Sequence, residues 1–543
     1  MSVRSGFVLL LSLSTLLFLA ACGNGTGAAN AVAPPTGSFS ASSLNGTYVF
    51  SVSGVDSEEG APYSIAGTIT ANGSGTITGG TFDLNDADAN VTSGPIANAS
   101  INSNGSYSVS VDGRGQATIG SPSISGGNLT FDFVLQDSSH GLITEFDAFG
   151  TGSGTLDLQT SGVTPTGSYA FSLSGASYSG TSWATVGNFT LSGTALSGFD
   201  DFDEGLLAYA DSTLAGSLVL NSSSGPATTL DVTSSSSSAV FSGTFDAFAI
   251  DASHVKLIEM DTTATLAGDA YTQTSPTISA ETLAFTLSGS EFAAGGYMVT
   301  NGSGGITGTE DYNVEGTNIS SQSSPAPFTA SYAVDASDSG RYVLNSFATF
   351  EGGTSYAAYP SSGGILLLEN DGDGISLGAA YAQTAGATFA ASQGYGINLT
   401  GTYLGANTDG QIEEVDDIAE ITAASGGTAT GIIDENFDPD GGPTLGIPLS
   451  GGQYGAIGST GRFGLSATAG TTTLSTLEGG FNLSLYSVDG ITFPFVELDS
   501  GQVSTGVIVL QSPSSSSAGV AKPHNMFVVP PLIHAHMARQ KKQ

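Results

Sequence analysis

EFDAFGTGSGTLDLQ, residues 145–159, opens on a Glu-x-Asp pair and ends on a Gln fourteen positions after the Glu. The same frame returns as Glu259, Asp261 and Gln273, as Glu369, Asp371 and Gln383, and as Glu497, Asp499 and Gln511. Four copies at intervals of 110 to 128 residues make one unit used four times, and that decides how the 543-residue chain is read.

Upstream of each frame an opening strand alternates apolar and small or polar residues. Its apolar members are Tyr48, Phe50 and Val52; Tyr169, Phe171 and Leu173; Leu283, Phe285 and Leu287; Tyr395, Ile397 and Leu399. Period two buries one face of such a strand. Gly54, Gly175, Gly289 and Gly401 follow two residues later, where a turn or bulge is expected. Next, Asn72-Gly73 leads to Asp83 and Asn85, and Asn301-Gly302 to Asp311 and Asn313. Asn-Gly is a strong hairpin signal because both residues tolerate positive φ. The other copies lack the dipeptide but keep Asp201-Phe202-Asp203 and Asp434-Glu435-Asn436. Further on, Gly113-Arg114, Gly340-Arg341 and Gly461-Arg462 mark a common point. The second copy has no Arg there, and its only cation is Lys256, close to Glu259 in sequence.

No sustained 3.6-residue apolar stripe is present, and short strand-like runs are separated by Gly, Asn, Asp and Ser. The expected class is all-β: four tandem antiparallel domains, each an up-and-down barrel of about eight strands, with immunoglobulin-like sandwiches as the alternative. Gly46-x-Tyr48 and Gly167-x-Tyr169 resemble the Gly-x-aromatic opening of lipocalin and avidin barrels. The Cys and Trp of an immunoglobulin core are missing, and the single Trp, Trp183, is expected between the first and second strands of its repeat. The expected domains are a signal peptide (1–21), a flexible tether (22–43), repeats at 44–160, 164–274, 279–384 and 390–512, and a disordered tail (513–543).

At the N-terminus Arg4 precedes an apolar run from Gly6 to Phe18 and then Leu19-Ala20-Ala21-Cys22. This resembles the lipobox of bacterial lipoproteins, in which a short apolar signal is cut before the cysteine. The resemblance implies that Cys22, the only cysteine, becomes a lipidated first residue, and Gly23 after it implies the outer membrane. Several acyl chains at about 0.8 kcal/mol per buried methylene suffice for stable anchoring. Residues 23–43 are mainly small and uncharged, as in a tether. The tail carries His524, His534 and His536 without acidic or Cys partners beside them, which favours an extension over a metal site.

Charge excludes some partners. The chain has 9 Lys and Arg against 48 Asp and Glu, a net charge of -39, and inside the repeats the cations are Arg114, Lys256, Arg341 and Arg462 alone. Nucleic acid and anionic membrane surfaces are repelled by such a chain. The expected partners are a membrane, through the lipid anchor, and an extracellular or envelope partner of unknown identity.

The Glu-x-Asp pair invites an acid–base reading, since paired carboxylates serve glycosidases. Along one strand the two side chains lie about 6 to 7 Å apart with no fixed relation to a cleft. Four serial copies also favour structure over catalysis. The Glu is therefore expected to accept hydrogen bonds from backbone or from its copy's lone cation, Arg114 for Glu145, Arg341 for Glu369 and Arg462 for Glu497. Each Gln is expected to close the last strand on the first. Glu369-x-Asp371-x-Asp373-Gly374 and Asn436-x-Asp438-x-Asp440-Gly441 resemble the first half of EF-hand calcium loops, and Glu413, Glu414, Asp416 and Asp417 are read as a further acidic loop. Position twelve holds Ala380 and Ile447 instead of a bidentate Glu, so the motif is incomplete, and calcium at these six residues competes with plain solvated turns. Ser139-His140 and Ser253-His254 precede Asp147 and Asp261, but adjacent strand residues face opposite ways, which argues against a triad. Gly-x-Ser-x-Gly, His-Glu-x-x-His and phosphate-loop motifs are missing. The reading is a non-enzymatic, cofactor-free, lipid-anchored envelope protein, at the outer membrane or cell surface, with a binding, adhesion or structural role. A binder of small apolar ligands or glycans inside barrel cavities is the alternative, and an extracellular hydrolase the third reading.

Overall fold

The structure, a computed structural model, describes residues 38–513 except 58–59, 89–93, 124–126, 161, 206, 221–226, 236–239, 275, 290–291, 315, 319–324, 348–353, 373, 388, 405–412, 439–442 and 470–479. Cys22, Asp373 and Asp440, the tail histidines and the side chain of Asp438 lie outside the described residues. Strands dominate, and the one helical segment among the described residues is a 3-10 turn at Ala41–Ser43.

Alternation and turns produce four antiparallel barrels. The first runs from strand Asn45–Asp56 to strand Gly150–Leu158, the second from Gly167–Ala176 to Ala267–Thr272, the third from Thr282–Gly289 to Ser376–Ala382, and the fourth from Gln393–Tyr403 to Gln502–Leu510. The second and fourth close with eight consecutive strands. In the first and third the second strand also pairs with the third, which closes the same ring, and a short extra strand (Ile96–Ser100 or Thr317–Asn318) adds to that third strand. Closure comes from the first strand meeting the last, as in Tyr48 opposite Leu158, Tyr169 opposite Thr272, Leu283 opposite Ala382 and Tyr395 opposite Leu510. Closure pairs both sides of every strand in the ring and so removes the long edges that template aggregation.

The alternating residues fill the barrels. Tyr48, Phe50 and Val52 pack with Phe131 and Phe133; Tyr169 and Phe171 with Phe189 and Phe245; Phe285 with Phe328 and Phe347; Tyr395 and Ile397 with Phe463 and Phe493. Each such side chain contributes roughly 1.5 to 3 kcal/mol by burial. Trp183 belongs to the second barrel's core, and it lies within the second strand, Ser182–Ser192, opposite Gly175 instead of in a connection. Packing also begins before residue 44. Phe39 is buried against the first barrel's core, and its N–H bonds the carbonyl of Val111.

The outer walls are apolar where barrels meet. Val134 and Leu142 of the first barrel, Ala184, Val186 and Tyr271 of the second, Tyr359 and Leu368 of the third, and Ile418, Tyr486 and Val507 of the fourth form one buried cluster. Four barrels thus share a fifth core. The chain carries the first barrel to the second, third and fourth, and the fourth returns to the first through Ser512 N–H to the Gln136 carbonyl at 2.7 Å. The result is a closed cycle.

Candidate functional site

The fourfold signature lies at the junctions of this cycle. Period two puts Glu145 on the inner face with Ile143, opposite Phe131, and the same holds for Glu369 opposite Tyr356 and Glu497 opposite Leu483. All are buried. Burial first, and then the neighbouring Asp carboxylate, pushes Glu145, Glu259 and Glu497 well above the usual carboxylate range. The paired Asp caps backbone instead: Asp147 accepts the N–H groups of Thr130 and Phe149, and Asp261 those of Thr244 and Thr263.

At three of the four junctions the turn that follows the Glu is gripped by an Asn from the preceding barrel of the cycle. Asn85 Nδ2 of the first barrel donates to the carbonyls of Glu259 (2.8 Å), Asp261 (3.2 Å) and Ala264 (2.8 Å) of the second. Asn313 of the third donates to the carbonyls of Glu497, Asp499 and Gln502 of the fourth, at 3.1, 2.9 and 2.8 Å. Asn436 of the fourth donates to those of Glu145 and Gly150 of the first, at 2.8 and 2.9 Å. Glu-x-Asp is therefore a socket and the Asp-x-Asn strand its plug.

Each Gln works at the same junctions. Its backbone N–H closes its own barrel on the first strand, at the carbonyls of Thr47, Ser168, Thr282 and Gly394. Its side-chain amide reaches the neighbour: Gln159 to the Ala249 carbonyl, Gln273 to Gly340 and Pro360, Gln383 to Thr460 and Ser487, Gln511 to Asp112 and Leu135. This explains the Gly of Gly-Arg. A Cβ at Gly113 would lie 2.6 Å from Gln511 Nε2, at Gly340 2.7 Å from Gln273 Oε1, and at Gly461 2.4 Å from Gln383 Nε2.

The Arg residues do not pair with the Glu of their own copy. Arg114 sits opposite Val134, on the outer wall, whereas Glu145 points inward, so the barrel wall separates them. Instead Arg114 Nη1 reaches Asp434 Oδ2 of the fourth barrel at 2.6 Å, and its Nε reaches Asp112 at 3.3 Å. Arg341 bridges Asp201 of the second barrel through Nε (2.7 Å) and Nη2 (2.6 Å), and Arg462 bridges Asp311 of the third through Nε (2.5 Å) and Nη2 (2.9 Å). Bidentate charge-assisted pairs of this kind fix register as well as energy. Lys256 likewise misses Glu259, because positions three apart on a strand face opposite ways. Its Nζ bonds Asp269 Oδ1 at 2.8 Å, shared with His254 Nε2 at 2.6 Å, and despite burial the Lys256 ammonium and the contact with His254 hold Asp269 at about 2.

Two junctions depart from the pattern. Asp203 replaces the Asn between the second and third barrels. Burial, then Glu369, Asp201 and Asp371, push it up to about 9. Asp83, between the first and second barrels, meets Asp246 where the other three meet an Arg.

The calcium candidates whose side chains are described bond other protein groups. Glu369 accepts the Ser376 hydroxyl at 2.8 Å, Asp371 accepts the Ser355 N–H, and the Asn436 amide is spent on the first barrel. Asp416 and Asp417 lie in strand Glu413–Ala424, not in a loop, and Asp416 accepts hydroxyls of Thr151 and Ser153 from the first barrel. Among the described residues no group of three or more His, Cys, Asp or Glu is placed to hold a metal ion. His140 bonds Asp137 through Nδ1 at 3.1 Å, and His254 stacks on Tyr271 at 4.3 Å.

Three kinds of space stand out among the described residues. The interiors of the first and second barrels hold cavities of only about 10 and 30 Å³. A hydroxyl-lined cavity of about 50 Å³ lies where the first three barrels converge, beside Ser53, Ser174, Lys256 and Tyr271. A groove of about 570 Å³ runs between the third and fourth barrels, past Gln383, Phe389, Tyr454 and Ile457.

No protein-family model and no curated protein matches this chain. Among solved structures it is similar to the isotype 1 transferrin binding protein B of serogroup B Neisseria meningitidis, at 9% identity over 69% of this chain and 84% of that one, with a TM-score of 0.18. A mutant of the vaccine antigen transferrin binding protein B from Haemophilus parasuis Hp5 is similar at 9% identity over 71% and 83%, with a TM-score of 0.16. A likeness of that degree carries nothing from those proteins to this chain.

Proposed function

We propose that the chain is a lipid-anchored protein of the cell envelope whose cycle of four barrels is a rigid, non-catalytic platform for binding, adhesion or spacing. The observation that carries this reading is where the repeated acidic signature is spent: its Glu residues are sealed inside barrel walls and its turns are occupied by the neighbouring barrel. A hydrolase needs convergent carboxylates facing a cleft. Ligand storage inside barrels is disfavoured by the small interiors of the first two, since ligand pockets usually run to about 300–1,000 Å³. The groove beside Phe389 and Tyr454 is of that size, and it is the place on this platform for a small ligand or a partner's loop.

The anchor is tested in a bacterial host by separating membrane from soluble fractions. The wild-type chain is expected in the membrane fraction with acyl chains on Cys22, and Cys22→Ser in the soluble one. Equal distribution of the two sinks the lipid-anchor reading. Binding at the groove is tested by screening native envelope fractions against wild type and Tyr454→Ala, and a captured partner insensitive to that change removes the groove from the reading.

A further inference from the structure

Three of the four junctions hold an outward Asp of one barrel with an Arg of the next: Asp201 with Arg341, Asp311 with Arg462, Asp434 with Arg114. Asp83 is the fourth member of that set. It lies opposite Ala66 in the second and third strands, as Asp201 lies opposite Val186, Asp311 opposite Gly295 and Asp434 opposite Ile418. The second copy contains no Arg at all.

What faces Asp83 is another acid. Strand Thr76–Asp86 packs against strand His254–Glu259 of the second barrel, its neighbour Pro62–Asn72 packs against both that strand and Val240–Ala249, and the group presented to Asp83 there is Asp246. The other charged groups nearby are engaged elsewhere. Lys256 and His254 are held by Asp269, Glu259 is buried beside Asp261, Asp261 caps Thr244 and Thr263, and Asp86 lies with Asp56 and Asp88 further along the strand. On its own barrel Asp83 accepts the Asn98 N–H at 2.5 Å. Val49, Ala66, Phe248, Ile250 and Ile258 form the apolar cluster of this junction. Two carboxylates in a dry contact cannot both ionise, and one proton between them converts repulsion into a short O–H···O bond.

We propose that the first and second barrels are locked by a proton held between Asp83 and Asp246 in the place where the other junctions use an Arg, so that this contact loosens as the medium turns alkaline. The direction follows from linkage. Burial, then Asp246, raises Asp83 to about 8, above its value of about 3.9 in an unfolded chain. The stabilisation is complete below about pH 4 and is lost as pH rises through about 8. An Arg-held junction has no such window, because the guanidinium stays charged.

Hydrogen exchange on the full chain tests this, with rates corrected for the intrinsic pH dependence of exchange. Peptides covering Thr76–Asp86 and Val240–Ala249 are compared with Gly305–Val314 and Phe481–Tyr486 at the Arg462–Asp311 junction. Between pH 6 and pH 8 the first pair is expected to lose protection by about tenfold per pH unit, roughly 100-fold in all, and to level off above 8, while the second pair holds. In Asp246→Asn the amide donates to Asp83 at every pH, and the loss is expected to vanish; Asp83→Asn is the equivalent variant if the first fails to fold. Protection that is independent of pH at the first junction, that falls equally at the Arg462 junction, or that still falls in the Asn variants overturns the proposal.

Discussion

At the scale of single residues, the junctions rest on a few buried polar groups whose partners are not interchangeable. Asp434 has Arg114 and the Gly446 N–H, whereas Asp201 keeps Tyr359 and Asn370 as donors even without Arg341. Arg114→Met is therefore expected to destabilise the protein by about 3 to 5 kcal/mol, as removal of one member of a buried pair does, and Arg341→Met by less. Denaturant midpoints check the order, and a larger loss for Arg341 refutes it. Glu145 makes a second case, being buried and pushed up by desolvation and by Asp147. Its folded value lies above the unfolded one, so its contribution is full in acid and fades as pH rises. Glu145→Gln keeps a donor for Asp147 without a titrating proton. It is expected to flatten the fall of Tm between pH 6 and pH 9, and an unchanged slope counts against a protonated Glu145.

At the scale of elements, each strand carries two unlike programmes on its two faces. The inner one was plain in the alternation of Tyr48, Phe50 and Val52, because burial against a barrel interior demands period two. The outer one, with Asp83, Asn85, Arg114 and Gln159, was visible as four recurring marks, but the marks do not say which copy answers which. Reading Arg114 with Glu145 failed for a reason already in the alternation: they occupy opposite faces of the wall. Gly113 shows how strictly the outer face is fitted. It combines φ +86° with a Cβ position 2.6 Å from Gln511 and 2.9 Å from Phe39, whereas Gly127, at φ +83°, has open space. Gly127→Ala is expected to cost only the conformational penalty of about 1 to 2 kcal/mol, and Gly113→Ala distinctly more, read as a drop in Tm. Equal drops mean that the Gln511 contact does not close the cycle.

At the scale of the whole molecule, the shared cluster of Val134, Tyr271, Tyr359 and Tyr486 couples barrels that a tandem array would leave independent. Calorimetry is expected to give one cooperative transition with matching calorimetric and van't Hoff enthalpies, and several resolved transitions contradict that coupling. Buried acids without cations also set the pH response of the entire chain. Asp83 at about 8 and Asp203 at about 9 are raised, so their stabilisation is lost through those values. Asp269, at about 2, acts oppositely, and its share is lost only as pH falls through about 2. Stability is therefore expected to peak in mild acid and decline progressively up to about pH 8 to 9, and a Tm rising steadily from pH 5 to 9 refutes the sign.

The sequence by itself determined the all-β class, the fourfold unit and the inward aromatic set and favoured barrels over sandwiches, because strand period and turn chemistry are local properties that each copy states independently. Only the tertiary structure decided that Asp434 answers Arg114 across the length of the chain and that Asn436 plugs the turn after Glu145. It also turned four beads into a cycle. Those contacts form between outer walls of different copies, where four near-identical surfaces offer many pairings, and the choice among them is made by how the barrels pack around their common apolar centre.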